Sequence, residues 1–235
     1  MKTVEEFWAA FFGLDVPDFL SPEPKVVPHA GLQDYRGVWL FRRGSQLIVS
    51  APPLLVSELS VALQAKLNNH PIYLDDKEFI ASLGSKADKV IGPAFQGLLL
   101  ETDFQSVSSD ARLLAKRDEK ALADLRAACE QEEWEHADIE MERHPLFGCF
   151  ENEHLVAAAT YRIESGIAAF PGLITHPDFR GRGYGKAVLS KAVEHGLNHD
   201  LLMLYQTLLA NKPAIAVAQT LGYRLYATHL AVRLL

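Results

Sequence analysis

The sequence predicts an α/β protein, and three observations carry that reading. LFGCF (146–150), HLVAAATYRI (154–163) and GIAAFPGLIT (166–175) are three strand-like runs in close succession. A glycine-rich turn then leads into a helix-periodic stretch (about 184–198), a strand-like LLMLY (201–205), a helix over 212–221 and the alternating run YRLYATHLAVRLL. Counted from a helix beginning near Asp118, the order is helix, three strands, helix, strand, helix, strand. That order makes a mixed sheet flanked by helices. A doubly wound dinucleotide fold is excluded, because hairpin-connected strands come before the glycine turn.

The elements follow in chain order. VEEFWAAFFGL spaces Val4, Trp8 and Phe11 along one helical face. DVPDFLSPEPKVVPH holds four prolines and reads as an extended connector. GVWLFRRGSQLIVS (37–50) reads as a hairpin turning at Arg43-Gly44-Ser45. A helix follows Pro52 and Pro53 with Val56, Leu59, Leu63 and Leu67 in register, then a short helix near 75–83 and a strand near 95–101. The polar, serine-rich TDFQSVSSDA (102–111) divides the chain into a smaller α+β subdomain, 1–110, and an α/β domain, 111–235. Asp118 is placed to cap the next helix, whose Leu122, Leu125 and Cys129 share one side. Gly222 ends the last helix, since glycine enters the left-handed region freely.

Composition narrows the function classes. The chain has 235 residues, 49% hydrophobic and 23% charged, which is ordinary for a globular protein. A net charge of −7 argues against broad nucleic-acid binding. No apolar run approaches the ~20 residues of a membrane span. Glu5 and Glu6 precede the apolar FWAAFFGL where a secretory signal wants bases, so the expected location is cytoplasmic. The two cysteines, Cys129 and Cys149, have neither CxxC spacing nor a histidine at ligand spacing, so no metal site is expected.

The stretch HPDFRGRGYGKAVLSK (176–191) carries the chemistry. Glycines at 181, 183 and 185 let the main chain approach an anion closely, and a helix N-terminus behind them adds a partial positive charge. Arg180, Arg182 and Lys186 add full charges. Neither the Walker form nor the dinucleotide fingerprint is present. The stretch from GLITHPDFRGRGYGKAVL through LLMLY to NKPAIAVAQTLGY resembles the GNAT superfamily of acyl-CoA-dependent N-acyltransferases. Arg180, Gly183 and Gly185 occupy the fixed positions of that family's Gln/Arg-x-x-Gly-x-Gly/Ala loop, after a strand ending in Thr175-His176-Pro177. Asn211 with Leu221-Gly222-Tyr223 matches a second signature of the family. The resemblance covers about 111–235 and implies a GNAT-like sheet; in some relatives a segment such as 1–110 is a degenerate second copy.

The resemblance implies a role for each position. Leu173, Ile174 and Thr175 would offer main-chain groups to the pantetheine arm and acyl carbonyl of acetyl-CoA. Gly181, Arg182, Gly183, Tyr184, Gly185 and Lys186, with Arg180, would cradle the pyrophosphate, and Asn211 would bond the pantetheine. The acceptor is a small-molecule or peptide amine, which attacks the thioester directly. The family's tyrosine, seven residues after the asparagine, is replaced here by Ala218. Tyr205 is the first substitute to consider, with Tyr184 and Tyr223 read as structural. A thiolate, with a thiol pKa near ~8.5, can also leave unaided, and this option is favoured. For the base, EQEEWEHADIEMERH (130–144) offers Glu132, Glu133 and Glu135, with His136 and His144 behind them, although such a run is ordinarily a solvated helix face. Cys149 reads as a small core filler. The competing reading is a non-catalytic acyl-CoA-binding module or a partner-docking protein.

Overall fold

Thr3 opens the first helix, α1 (Val4–Phe12), through a reciprocal cap: its hydroxyl accepts the Glu6 amide at 3.1 Å while the Glu6 carboxylate accepts the Thr3 amide at 2.7 Å. The computed structural model describes residues 3–32, 35–69, 80–81, 83–139 and 144–235. Two compact units emerge: Lys2–Gln96 with Thr207–Ala210 and Leu225–Leu235, and Gly97–Gln206 with Asn211–Arg224.

The first unit holds strands β1 (Lys25–Pro28), β2 (Gly37–Arg43) and β3 (Gln46–Ala51), with most of β4 (Ala87–Leu99) and of β10 (Arg224–Leu234). Their order is β1-β3-β2-β10-β4. The expected hairpin is present, pairing Trp39 with Ser50 through to Arg43 with Gln46. Helix α3 (Val56–Asn69) follows a short 3-10 turn, Pro53–Leu55. Leu59 and Leu63 of α3 cover Val38, Leu40, Val49 and Val232. The alternate residues of β2, Trp39 and Phe41, meet Trp8 of α1, with ring centroids 6.0 and 4.9 Å away. Burial of β2 on both faces explains why VWLF reads as a continuous apolar run.

The proline-rich segment is not simply extended. Asp15 caps a short helix, α2 (Val16–Leu20), its carboxylate accepting the Asp18 amide at 2.7 Å, and Pro17 falls in the first turn, where a missing N–H costs nothing. Only 25–28 of that segment forms a strand, pairing parallel to β3. The strand expected near 95–101 starts earlier and stops at Leu99, because 101–103 form a 3-10 turn. The helix expected near 75–83 falls almost wholly outside the described residues.

The second unit orders its strands β9-β8-β7-β6-β5: β5 (Arg112–Leu113), β6 (Phe147–Glu151), β7 (His154–Glu164), β8 (Ala168–Thr175) and β9 (Leu202–Leu208, whose last two residues belong to the first unit). The three-strand meander is as expected; β5 is an addition too short for a periodic signal. The helical run after Asp118 breaks at Cys129 and Glu130 into α4 (Glu119–Ala128) and α5 (Gln131–Ala137). Leu125 and Trp134 from these helices bury against Leu155 and Ile174 of the sheet. Asp118 stands at the N-cap of α4, but its side chain does not cap that helix. Its carboxylate receives Arg112 in a bidentate pair, both contacts at 2.8 Å, and the Ala115 amide at 2.9 Å. A charged partner on strand β5, six residues back, outcompetes the first amides of α4. Helices α6 (Tyr184–Leu197) and α7 (Lys212–Thr220) complete the unit.

Candidate functional site

Strand β8 ends at Thr175, and a 3-10 turn over Pro177–Phe179 carries the chain to the loop 180–183. Gly181 and Gly183 hold φ of 77° and 91°, conformations that side chains resist. Gly183 is the N-cap of α6 and supplies no side-chain cap. Ala187 N donates to the Gly183 carbonyl at 3.0 Å, so the amides of residues 184–186 lie ahead of the intrahelical ladder. The first turn carries no acid. Gly185 serves a different need: a Cβ there would stand 2.8 Å from Thr175 Oγ1, so glycine lets the strand end and the helix start come together. The result is a ring of main-chain donors at the positive end of a 14-residue helix, an arrangement suited to phosphate.

The strand beside this loop is open on one edge. Strand β8 pairs with β7 along its whole length, Glu164 opposite Ala168 through to Ala157 opposite Thr175. Its parallel pairing with β9 covers Ala168 with Leu202 and Ala169 with Met203, and goes no further among the described residues. Leu173, Ile174 and Thr175 therefore lie where β9 has departed. Apart from the Thr175 carbonyl, which accepts Arg180 Nε, main-chain groups facing that edge can accept hydrogen bonds from, or donate them to, an extended ligand. On the face of β8, Gly172 lets α5 approach so closely that a Cβ would overlap the Ala137 carbonyl.

The basic side chains of the loop are already engaged. Arg180 donates Nε to the Thr175 carbonyl at 3.1 Å and a terminal nitrogen to Glu133 of α5 at 2.7 Å. Arg182 lies 3.7 Å from Glu151 at the end of β6 and 5.0 Å above the Phe179 ring. Tyr184 lies beside the same carboxylate, which pushes its pKa up. Lys186 has no ion-pair partner among the described residues. Neither Glu151 nor the role of Glu133 as a partner of Arg180 carries a sequence signal, since 47 residues separate Glu133 from Arg180.

The remaining candidates are dispersed. Asn211 caps α7, its side-chain oxygen accepting the Ala214 amide at 3.2 Å. Ala218 is fully buried. Tyr205 lies two residues past the last β8–β9 pair, buried, with its ring 5.4 Å from that of Tyr223. Burial pushes the Tyr205 phenol up to about 12 and Tyr223 well above its usual value. Glu132, Glu135 and His136 are exposed, and Glu135 accepts the Gln131 side-chain amide at 2.8 Å. His144 is half-buried next to residues outside the described set. Cys149 is buried in β6 and its thiol is raised to about 11 by burial, which fits a core filler rather than a nucleophile. Among the described residues, no three histidine, cysteine or acidic side chains gather as a metal would need, and no helix is long and apolar enough to cross a membrane.

The sequence and the fold have likenesses among known proteins. Residues 112–223 match the model of the acetyltransferase (GNAT) family. The fold is similar to an acetyltransferase from the GNAT family of Colwellia psychrerythraea, with a TM-score of 0.56 and 17% identity over 79% of this chain and 75% of that one. It is also similar to a GCN5-related N-acetyltransferase from Kribbella flavida, with a TM-score of 0.50 and 16% identity over 69% of this chain and 64% of that one. A GNAT-family structure from Novosphingobium aromaticivorans gives 0.50 and 19%, over 62% and 65%. The chain thus spans just under two thirds of the length of the last two, and identities this low speak for fold alone. No curated protein matches the chain in sequence. The glycine loop, the uncapped helix and the strand pair that separates all fall within the matched segment, and over residues 112–223 the chain is a domain of the GNAT acetyltransferase family.

Proposed function

We propose that the protein transfers an acetyl group from acetyl-CoA to a primary amine of a small molecule or peptide, by direct attack within a ternary complex. The observation that carries this reading is the pairing of β8 with β9 at only two positions, beside an uncapped helix N-terminus. The pyrophosphate would sit on the amides of 181–186, with Lys186, Arg180 and Arg182 as counter-charges. The pantetheine would lie along Leu173, Ile174 and Thr175, adding the hydrogen bonds that β9 no longer makes, with Asn211 at its far side. Main-chain donors there would stabilise the oxyanion of the tetrahedral intermediate. Once the ammonium has lost a proton to a base, the free amine adds to the thioester carbonyl; the cationic nitrogen of the tetrahedral intermediate gives a second proton to solvent as the C–S bond breaks. The electron pair leaves on sulfur, and solvent returns a proton to the thiolate. The shift of Tyr205 to about 12 supports this solvent route, because the phenol is a poor acid in its buried place. Glu132 and Glu135 remain candidates for the base. The working domain is proposed to be 111–235, with 1–110 as a separate subdomain and a cytoplasmic setting for both.

Isothermal titration with acetyl-CoA and with CoA tests the donor half of the reading. Micromolar binding is expected for the wild type, and Gly183→Val, forced into a φ near 91°, should weaken it by at least about tenfold. Unchanged affinity in that variant would show that the loop does not hold the nucleotide. One observation favours a second reading: alanine at 218, buried, stands at the family's usual tyrosine position and supplies no phenol, as a non-catalytic acyl-CoA-binding module would allow. Binding without thiol release over a broad amine panel would select it; release with any amine rejects it.

A further inference from the structure

The family signature does not involve Glu133, yet this carboxylate holds the most strongly positioned cation of the loop. Arg180 has two partners, the Thr175 carbonyl at 3.1 Å and Glu133 at 2.7 Å. Both members of the ion pair are nearly half exposed, at 46% and 42% of the side chain, so solvent and ligands can reach it. The Thr175 bond uses Nε alone. It anchors the guanidinium by its stem while the terminal nitrogens stay free to exchange one anion for another. Glu133 belongs to α5, and the far end of that helix rests on β8 at Gly172 and Ala137. The Arg180–Glu133 pair is thus a tie between the glycine loop and the α5 helix.

We infer that Glu133 is an internal stand-in for the donor's phosphate: it neutralises Arg180 before the donor binds, and the pyrophosphate displaces it, releasing the tie to α5. This rests on the donor site proposed above. The physical argument is one of competing charge-assisted bonds. A diphosphate offers more charge and more acceptor oxygens than one carboxylate, and the helix amides add to its side of the exchange. An exposed carboxylate–arginine pair is weak enough to be replaced. Arg182 faces the same exchange with Glu151, but at 3.7 Å that contact is looser, so the larger effect is expected at Glu133. Glu133 is accordingly a positioning residue. Its removal should help donor binding, whereas removing a residue that merely orients Arg180 would harm it.

The test compares CoA binding, by titration calorimetry, in the wild type, Glu133→Gln, Glu133→Ala, Arg180→Ala and the double variant Arg180→Ala/Glu133→Gln. Glu130→Gln, one turn away, removes the same charge without touching Arg180. Both Glu133 variants should bind CoA about three- to fivefold more tightly, an effect the size of one exposed ion pair. Glu130→Gln should not, and the gain should vanish when Arg180 is absent. Hydrogen exchange supplies a second readout that a purely structural role would not move. CoA should slow exchange at 181–187 and speed it across 131–137 in the wild type, while Glu133→Gln should show fast 131–137 exchange before any ligand is added. Equal or weaker CoA binding in both Glu133 variants overturns the inference and leaves the donor site standing. A wild type that binds no CoA overturns both.

Discussion

Strands β2 and β8 are both central, and what lies along their edges separates scaffold from site. Strand β2 is paired on both sides, to β3 from Trp39–Ser50 to Arg43–Gln46 and to β10 from Arg42–Thr228 to Gly37–Arg233. Its faces are covered as well, by Leu59 and Leu63 of α3 and by Trp8 of α1. Over Trp39–Arg42 both edges are taken by neighbouring strands, which leaves no main-chain group there for a ligand. Strand β8 has one edge fully paired and the other paired at two residues only. Hydrogen-bonding capacity withheld from the sheet is what a strand can offer to a substrate, and the uncapped start of α6 withholds it in the same way.

The largest expected effect that sharpens this comparison lies in the closed region. Trp8→Ala removes a nearly fully buried indole that contacts Trp39, Phe41, Phe11 and Phe12. It should cost about 3–5 kcal/mol in denaturant unfolding of the unit that holds it. If the comparison is right, CoA affinity measured on the folded fraction stays unchanged; a parallel loss of affinity would break it.

Next comes acid stability, where the two units differ in pH window. His229 lies 4.7 Å from the Trp39 ring, and burial lowers its pKa from 6.5 to about 4. The folded imidazole is neutral while the unfolded one takes up a proton below pH 6.5. Its contribution is therefore complete above pH 6.5 and is lost as the pH falls toward 4, amounting to about 3 kcal/mol. Burial lowers His29 in the same direction, its ring held between Ser50 and the Gly37 carbonyl. In the other unit, the Arg112 guanidinium holds Asp118 at about 2 rather than 3.8, so that contribution survives to pH 3.8 and fades only below it. Thermal unfolding followed by tryptophan fluorescence should show destabilisation of the first unit from pH 6.5 downward, reduced in His229→Gln. A flat profile between pH 6.5 and 4.5 would contradict the burial of that ring.

The smallest expected effect is at Tyr205. If the thiolate is protonated by solvent, Tyr205→Phe should keep CoA release within about twofold of wild type, since loss of a general acid would typically cost more than about 10²-fold. A loss of that larger size would make the phenol the proton donor and place the chemistry deeper between the separated strands than proposed.

Much of this was legible beforehand, for local reasons. The hairpin at 37–50, the meander at 146–175 and the loop-to-helix corner at 180–186 rest on alternation, turn residues and glycines, all acting over a few positions. The misses were local features overridden by neighbours. Asp118 has the chemistry of a cap, but Arg112 takes its carboxylate. Four prolines suggested a connector, yet Asp15 and Pro17 start a helix. ALADLRAACEQEEW is not one continuous helix either, since the apolar side read through Leu122, Leu125 and Cys129 hides a break at Cys129 and Glu130.

By itself the sequence determined the glycine corner: a helix start without a cap, with φ values that only glycine holds at ease, follows from the residues at 181–185. Only the tertiary structure decided that β9 leaves β8 after Ala169 and Met203, and that Glu133 and Glu151 reach the two arginines. Dihedral preference and capping are properties of adjacent residues. The course of a parallel partner strand, and the choice of counter-ion across 47 positions of chain, depend on how whole elements pack.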